Sequence, residues 1–499
     1  MSDVKSLPLI NEVNQKKTLP VKVLQFGEGN FLRAFVDWII NSMNKKGVFN
    51  GGVCVVQPMP FGRVKELKDA DCLYTLYLQG LQDGEAKRVH EVINAIQDAL
   101  NPFEEYDKYL KYAESDDLEF VISNTTEAGI AFDPEDTDFS KCPKSYPGKL
   151  LAFLERRYNA GKKGLFIIPC ELIDHNGETL KEVLVKLANH KGMDPKFVKW
   201  VAEENRFYNT LVDRIVPGYP RNEADEFQLN LGYQDQNMVV GEIFHLWCLD
   251  AQSVSDKELA KKNLALLKEK LPTEKAGLNV LFVDSIVPYK QRKVKILNGS
   301  HTTLVPVSYL SGIDTVRETI EDPQLGKFVR EFIFDEVIPT IDIPHDQMVA
   351  YSNSVLERYM NPYVRHELMS IALNSCSKYK ERVLPTVLQF MERKNQLPKH
   401  ALFSLASLML FYRGVRTINN NQPIALADDP KFIEMFKELW ANYENTEAGA
   451  KALVTKVLAL KDHWGLDLNT CPGVTDFVSA ALFAQVNMPV REALDKLVK

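Results

Sequence analysis

Short apolar runs rich in β-branched residues alternate with segments of helical period through the first half of the chain. Several of these runs are continuously apolar, which is typical of strands buried on both faces of a parallel sheet that helices cover. We therefore predict an α/β domain with a doubly wound parallel sheet. The strand candidates are Val21–Phe26, Gly52–Gln57, Tyr74–Leu78, Leu118–Ser123 and Leu165–Pro169.

The pattern changes at about residue 288, where β-branched runs give way to longer segments with apolar residues at helical spacing. This change predicts a second, mainly α-helical domain. We place the two domains at 1–287 and 288–499, expect them to pack closely, and expect the active site in the cleft between them. The predicted helices include Glu367–Leu373, Val383–Arg393, Ala401–Tyr412, Lys431–Tyr443, Ala448–Leu460 and Val474–Phe483.

A glycine turn joins the first predicted strand to an amphipathic helix that runs to about Met43. In such a turn the glycines let the backbone approach a pyrophosphate, whose charge rests on the N–H groups at the helix start. The third glycine of the G-x-G-x-x-G pattern is replaced here by a leucine, but the strand and helix context supports a Rossmann-like dinucleotide site. The residues expected at the cofactor are Phe26, Gly27, Glu28, Gly29, Asn30, Phe31 and Leu32.

Two further strand ends carry polar residues where open α/β folds bind their ligands. Gln57 ends the second strand in place of the usual acidic ribose partner, and no arginine follows it directly, which favours NAD over NADP; Arg63 keeps NADP open. The strand at 118–123 runs into Asn124, Thr125 and Thr126. Ordinary roles explain these residues about as well, Gln57 as a strand end and the threonines as a helix N-cap.

The net charge limits the classes of binding partner, and the cysteine pattern indicates the cellular compartment. The 499 residues are 45% hydrophobic and carry a net charge of −7 without a basic block, so we expect neither a nucleic-acid partner nor an anionic membrane surface. No apolar stretch is long enough to span a membrane. The seven cysteines are scattered without a C-x-x-C pair or a secretory leader, which predicts reduced thiols and a cytoplasmic protein. Nothing indicates an obligate protein partner.

A lysine, an asparagine and a histidine follow one another in the spacing K-x4-N-x2-H, as Lys293, Asn298 and His301. On a helix, residues three apart share a face, so Asn298 and His301 can reach one small substrate, and Lys293 has an arm long enough to join them. Ketone reduction needs such groups, to protonate the forming alkoxide and to stabilise its charge. Taken singly, each also has an ordinary explanation, as a surface lysine, a helix cap and a structural histidine.

The same spacing resembles the signature of the polyol-specific long-chain dehydrogenases and reductases, the mannitol dehydrogenase family. Similar blocks are the glycine turn at 27–34, the stretches at 212–217 and 358–362, and His366 and Lys378, so the resemblance spans about residues 20–380. It implies an N-terminal dinucleotide domain, a helical C-terminal domain and metal-independent, NAD-dependent chemistry on a small sugar. It further implies Lys293 as the general acid and base, Asn298 at the oxyanion, and His301 as an orienting group.

Within that family, residues 169–178 are most similar to members that reduce the keto group of D-tagaturonate to D-altronate with NADH in hexuronate catabolism. Such a keto sugar acid brings a carboxylate, which a cationic side chain should bind. The matched segments imply the substrate contacts Arg358, Asn361, His366 and Lys378.

One departure from the family concerns a second oxyanion donor. Where the family often has an asparagine, this chain has Leu172, which cannot donate a hydrogen bond. Asn176 is the candidate replacement, although Asn176 followed by Gly177 is equally typical of a turn. Asp213 and Arg214 are interpreted as a structural ion pair rather than substrate contacts.

Three alternatives stay open. Within the family, fructuronate or a neutral polyol such as mannitol could be the substrate, because one inverted hydroxyl is not readable from sequence. A metal-dependent sugar-acid isomerase would need a ligand set such as Asp174, His175, Asp284 and His301, which lacks a recognised metal spacing. A nucleotide-binding module without catalysis would keep the glycine turn and have no use for Lys293.

Overall fold

A computed structural model describes residues 4–126, 128–419 and 421–498. The described residues within 1–80 and 87–286 form one compact unit, and those within 81–86 and 287–499 form another. The strands up to residue 286 are β1 Val21–Phe26, β2 Gly52–Val56, β3 Tyr74–Gln82, β4 Glu85–Ile93, β5 Ile96–Leu100, β6 Phe120–Ser123, β7 Phe166–Pro169, β8 Arg206–Phe207, β9 Asn209–Asp213, β10 Val239–Glu242, β11 Leu246–Asp250 and β12 Val280–Phe282.

The first unit contains a six-stranded parallel sheet in the order β5-β2-β1-β6-β7-β8. The chain leaves β1 toward one edge of the sheet and then returns to continue from β6 toward the other edge. The predicted doubly wound sheet is thus confirmed, with a topological switch point between β1 and β6, where such folds bind their ligands.

The predicted strand at 74–78 was assigned to the wrong sheet. It is part of β3, which pairs with β10 and β4 in a separate three-stranded sheet; β9, β11 and β12 form another. A buried strand has the same apolar pattern in either sheet, so the sequence identified the strand without identifying its partner.

Helices cover both faces of the parallel sheet. Alternate positions of β1 face opposite sides, so Val23 packs with the helix after the glycine turn while Leu24 and Phe26 pack with helices from later in the unit. The helices of this unit are α1 Ile10–Val13, α2 Asn30–Arg33, α3 Val36–Lys45, α4 Val64–Asp69, α5 Tyr106–Lys111, α6 Tyr146–Asn159, α7 Asn176–His190, α8 Pro195–Glu203, α9 Ala224–Leu231 and α10 Lys257–Lys270.

The helix predicted after the glycine turn is broken into α2 and α3. The Tyr74 hydroxyl donates to the Arg33 carbonyl at 2.7 Å, and the Arg214 guanidinium donates to the Ala34 carbonyl at 2.5 Å. Since these donors take carbonyls that a continuous helix would use, the chain turns at Phe35, whose φ is −127° and ψ −80°. Arg214 also donates to the carbonyls of Phe244 and Ile243, so its guanidinium is bonded to backbone carbonyls on several sides.

Arg33, Asp37 and Asn41 form a polar row on this helical segment, and the row is buried rather than solvated. Arg33 donates to the carbonyls of Asn237 and Glu28, and Asp37 accepts a hydrogen bond from Gln25 of β1 at 3.2 Å. Burial raises the pKa of the Asp37 carboxyl to about 7. These hydrogen bonds therefore hold the glycine turn and the helical segment against β1.

We expect Asp37→Asn to make stability less sensitive to pH. The folded pKa of Asp37 lies above its unfolded value of 3.8, so the folded state holds a proton that the unfolded chain releases, and stability is lost as pH rises from about 4 to about 7. Asparagine does not ionise, so the variant should gain roughly 1–3 kcal/mol over the natural chain between pH 5 and pH 8. Urea unfolding at both pH values measures this, with Asp107→Asn as the exposed control. The prediction would be contradicted if the variant and the natural chain differed by the same free energy of unfolding at pH 5 and at pH 8.

The second unit is mainly helical, as predicted. Its helices are α11 Val287–Arg292, α12 Gly299–Leu310, α13 Val316–Glu321, α14 Pro323–Glu331, α15 His345–Tyr359, α16 Leu368–Ile371, α17 Ser375–Arg382, α18 Leu384–Lys394, α19 Lys399–Phe411, α20 Pro430–Ala441, α21 Glu447–Leu458, α22 Lys461–Trp464, α23 Val474–Asn487 and α24 Val490–Leu497, with a two-stranded hairpin of β13 Val415–Arg416 and β14 Gln422–Pro423.

Two helices form the centre of this unit. Every residue of α12 is buried, and so are nearly all residues of α19, which packs against it. Because α12 is buried on all sides, neighbouring elements pack around its whole circumference. None of the helices in the described ranges has the length and apolar character that crossing a membrane requires.

Candidate functional site

The glycine turn lies at the switch point of the parallel sheet. Gly27 has a φ of +121°, and a Cβ placed on it would lie 3.0 Å from the Asn124 carbonyl oxygen and 3.2 Å from the Leu32 side chain. The Asn124 N–H in turn donates to the Phe26 carbonyl at 3.0 Å. Only glycine fits this close approach of the ends of β1 and β6 without strain.

Open space lies above Gly29, the residue that precedes α2. A Cβ on Gly29 would meet no heavy atom within 4 Å, and its backbone conformation is an ordinary extended one. Space beside the free N–H groups of a helix start is what the pyrophosphate of a dinucleotide requires. The turn therefore fits NAD, with room at Gly29 and close packing at Gly27.

The larger residues of the turn serve mainly to pack it. Phe26 is fully buried, with its ring 4.8 Å from the Tyr146 ring, and the Phe31 ring stacks on Phe35 at 5.1 Å. Glu28 lies half-buried at the turn, and burial raises the pKa of its carboxyl. The Asn30 side chain accepts a hydrogen bond from Arg33 at 2.8 Å. Contacts from these positions to a cofactor would thus come chiefly from the backbone.

Beyond β6, a buried glutamate organises the next strand end. The Glu171 carboxylate accepts hydrogen bonds from the Ser123 hydroxyl and from both the N–H and the hydroxyl of Thr125, each at 3.0 Å. The Asn124 amide donates to the Cys170 carbonyl at 3.1 Å. Thr126 is exposed with a φ of +80°, which is a strained conformation for a β-branched residue. A turn follows at 128–129, not the helix that an N-cap would start.

Gln57 and Arg63, two residues considered for contacts with the cofactor, form hydrogen bonds within the protein. Gln57 is buried; its amide donates to the Met59 carbonyl at 2.8 Å, and its amide oxygen accepts the Val64 N–H at 3.4 Å. This geometry favours the strand-end interpretation of Gln57. Arg63 donates to the Gln236 carbonyl at 2.8 Å, so it is held within the loop.

Asn176 has a structural role, contrary to its predicted role as a second oxyanion donor. It is fully buried, and its amide nitrogen donates to the carbonyls of Pro169 and Glu171, each at 3.0 Å, and to Thr210. Its amide oxygen accepts the Thr210 N–H at 2.8 Å. Because every hydrogen-bonding group of the side chain is occupied, Asn176 has none left for a substrate.

In the second unit, Lys293 and Asn298 lie on one π-helical turn, Lys293–Asn298, inserted between α11 and α12. In an α-helix, residues five apart point about 140° away from each other. A π-turn closes i→i+5 hydrogen bonds, so residues at this spacing come closer to one face, and such turns are frequent at functional sites. Asn298 is therefore not a helix cap, since helical backbone continues on both sides of it.

His301 is buried at the start of α12 and lacks the partners of a structural histidine. Its ring lies 4.3 Å from the Tyr359 ring and 5.0 Å from the His366 ring, and its Nε2 has no hydrogen-bond partner within the described chain. Burial and the neighbouring positive charges hold the pKa of His301 well below its usual range. A neutral imidazole with an unused nitrogen can bind a substrate hydroxyl.

Cationic side chains surround this histidine. After burial, the groups that lower the pKa of His301 are His366 when it is protonated, Arg358, Arg382 and Lys378. Burial lowers the pKa of His366 as well, so the permanent charges are those of Arg358, Arg382 and Lys378. Asn361 lies just after α15, where its side-chain oxygen accepts the Tyr363 N–H at 3.0 Å. The structure thus brings His301, Arg358, His366 and Lys378 together, while Asn361 shapes the turn beside them.

Two residues that were not predicted lie beside the predicted ones: Glu171, which bonds to Ser123 and Thr125, and Arg382, whose charge acts on His301. The role of Glu171 depends on the approach of β6 and β7, which no local pattern reveals. A signal for Arg382 was present in its spacing of four residues from Lys378, which places both on one helix face.

Family models match both units. The model described as "Mannitol dehydrogenase Rossmann domain" matches residues 21–263, and the one described as "Mannitol dehydrogenase C-terminal domain" matches residues 285–485.

Curated relatives match nearly the whole chain. The altronate oxidoreductase of Bacillus subtilis (strain 168) is 42% identical over 96% of this chain and 95% of its own. The altronate oxidoreductase of Phocaeicola vulgatus is 44% identical over 95% of this chain and 96% of its own.

Solved structures show the same fold at lower identity. A D-sorbitol dehydrogenase in substrate-free form aligns with a TM-score of 0.79 at 23% identity, covering 95% of each chain. The Pseudomonas fluorescens mannitol 2-dehydrogenase, in a ternary complex with NAD and D-mannitol, aligns with a TM-score of 0.64 at 22% identity, covering 96% of this chain and 94% of that one.

Proposed function

The chain belongs to the mannitol dehydrogenase family, and from that premise we propose that it reduces the keto group of D-tagaturonate to give D-altronate, with NADH as the reductant. The observation that carries the choice of an acidic sugar is the cationic surrounding of His301, by Arg358, Lys378 and Arg382. Such a group of charges suits a substrate with a carboxylate better than a neutral polyol. The full-length similarity to altronate oxidoreductases supports the same substrate.

The glycine turn is the proposed cofactor site, and NADH supplies the hydride when bound. Gly27 and Gly29 would let the backbone approach the pyrophosphate, and the polar end of β6, Asn124–Thr126, would border the site. No arginine directly follows β2, and the Arg63 guanidinium is bonded to a loop carbonyl, which together favour NAD over NADP.

In the proposed mechanism, side chains of the second unit transfer the proton to the forming alkoxide and stabilise the negative charge on its oxygen. Lys293 donates a proton to the alkoxide that forms at the keto carbon, and accepts it in the reverse direction. The Asn298 amide donates a hydrogen bond to the same oxygen, and the neutral His301 ring orients the hydroxyl beside it. The π-turn supports these roles, because it brings Lys293 and Asn298 toward one side of the helix.

We further propose that the enzyme works in the cytoplasm without a metal ion. All seven cysteines are free, which suits a reducing compartment. In the described part of the chain, no three histidine, cysteine or acidic side chains are grouped as metal ligands, so the isomerase hypothesis gains no support. Besides NADH, a small sugar acid is the only partner that the proposal requires.

The test is NADH oxidation by the purified protein, with tagaturonate, fructuronate and fructose compared side by side, each with and without EDTA. We expect rapid oxidation with tagaturonate, altronate as the product, and no effect of EDTA. Activity only with fructuronate or fructose would keep the family and refute the substrate. A rate that EDTA abolishes and zinc or manganese restores would refute the metal-free mechanism.

A further inference from the structure

Two of the cations around His301 lie on one face of α17. Lys378 and Arg382 are four residues apart on this helix, so their side chains emerge on the same side, one turn from each other. Arg358 is at the end of α15, next to Tyr359, whose ring packs against the His301 ring at a tilt of 33°. The cluster is thus built from two helices that meet at the histidine.

Arg382 is held close to the Lys293–Asn298 turn by its backbone. A Cβ placed on Gly299 would lie 3.0 Å from the Arg382 carbonyl oxygen, so the end of α17 packs directly on the start of α12. Gly299 is the residue after Asn298 in the chain. The position of Arg382 relative to the proposed catalytic turn is therefore fixed by backbone packing rather than by a flexible contact.

The guanidinium of Arg382 is half-buried and has no carboxylate to neutralise it. It forms no hydrogen bond or ion pair with any residue of the described ranges, and the acid whose charge acts on it, Glu381, is exposed. Lys378, in contrast, already donates to the Ile371 carbonyl at 2.8 Å. A partly desolvated cation without a partner is costly, and an anionic ligand would offset that cost.

We propose that Arg382 binds the carboxylate of the keto sugar acid and thereby sets the preference for hexuronates over neutral sugars; this inference rests on the proposed reduction of a hexuronate. A guanidinium presents two parallel N–H donors that match the two oxygens of a carboxylate, which an ammonium cannot do. Arg382 is in this view a specificity residue, separate from the proton transfer at Lys293.

The test compares Arg382→Gln with Lys380→Gln, which removes a positive charge from the same helix. Lys380 lines a cavity with Lys431 and His463 that Arg382 does not line, so it serves as the matched control. In Arg382→Gln we expect the KM for tagaturonate to rise roughly 10- to 100-fold, the range for a lost charged hydrogen-bonded pair. We expect kcat and the KM for NADH to stay within about threefold, and Lys380→Gln to match the natural chain.

The outcomes separate the inference from the function on which it rests. An unchanged KM for tagaturonate in Arg382→Gln, with an active natural enzyme, overturns the inference alone. Equal losses in the KM values of tagaturonate and NADH also overturn it, because they indicate a structural role. If Arg382→Gln does not fold, Arg382→Lys is measured in its place. A KM for tagaturonate between that of the natural enzyme and the roughly 10- to 100-fold rise expected for Arg382→Gln supports the inference, and a KM equal to that of the natural enzyme refutes it. A natural enzyme inert toward every keto hexuronate overturns both.

Discussion

Replacing Lys293 with alanine is expected to lower kcat for tagaturonate reduction by about 10²- to 10⁴-fold, the usual contribution of a general acid. In the proposed mechanism Lys293 donates a proton to the forming alkoxide, and neither Asn298 nor the neutral His301 carries an equivalent acid. The other lysine of the π-turn, Lys295, is buried with its ammonium group bonded to Thr340 and Gln389. The KM for NADH should change little, because the lysine is not among the glycine-turn residues proposed to hold the cofactor. Steady-state kinetics with both substrates measures the effect.

The control for this prediction is Lys293→Arg. It keeps the positive charge, but a guanidinium does not give up its proton under any ordinary condition. We therefore expect Lys293→Arg to remain nearly as slow as the alanine variant. Recovery to more than half of the natural kcat would show that charge alone is required, and an alanine variant within tenfold of the natural rate would remove Lys293 from the mechanism.

Substitution of the two turn glycines should have different effects on folding and cofactor binding. Gly27→Ala forces a side chain onto a φ of +121° and against the Asn124 carbonyl, so we expect a loss of about 1–3 kcal/mol in stability together with weak NADH binding. Gly29→Ala meets open space in an ordinary conformation, so stability should stay within about 0.5 kcal/mol. Its methyl group would nevertheless occupy the space proposed for the pyrophosphate, and NADH affinity should fall about tenfold or more.

Thermal unfolding without cofactor and fluorescence titration with NADH separate these two effects. Natural NADH affinity in Gly29→Ala would place the pyrophosphate elsewhere. Natural stability in Gly27→Ala would mean that the ends of β1 and β6 can move apart.

The strands of the parallel sheet were predictable where apolar and β-branched residues dominate them, as in β1, β2, β6 and β7. The strand β5, Ile96–Leu100, was missed because it carries polar residues at its centre, and β8 because it has only two residues. Which strands pair was not predictable for β3, since pairing depends on contacts between distant segments. The break between α2 and α3 has the same origin: its donors, Tyr74 and Arg214, are far away in sequence.

Spacing and family resemblance predicted Lys293, Asn298 and His301 as site residues. They did not predict the backbone conformation that places these side chains. Helical periodicity does not distinguish a π-turn from an α-turn over six residues. Asn176 followed by glycine fits a turn, an oxyanion donor or a buried structural amide equally well, and only its four acceptor contacts decide among them. The sequence around Arg382 is typical of a surface helix. Its position next to the proposed catalytic turn depends on the close approach of its backbone carbonyl to Gly299, which the sequence does not reveal.

The measurement that tests hexuronate reduction most directly follows the hydride itself. The purified protein is incubated with tagaturonate and NADH deuterated at both C4 positions, and the product is examined by mass spectrometry and NMR. We predict altronate with one deuterium, on the carbon that bore the keto group, in equal amount to the NADH oxidised. A product without deuterium, or one formed without NADH oxidation, would contradict reduction and indicate an isomerase.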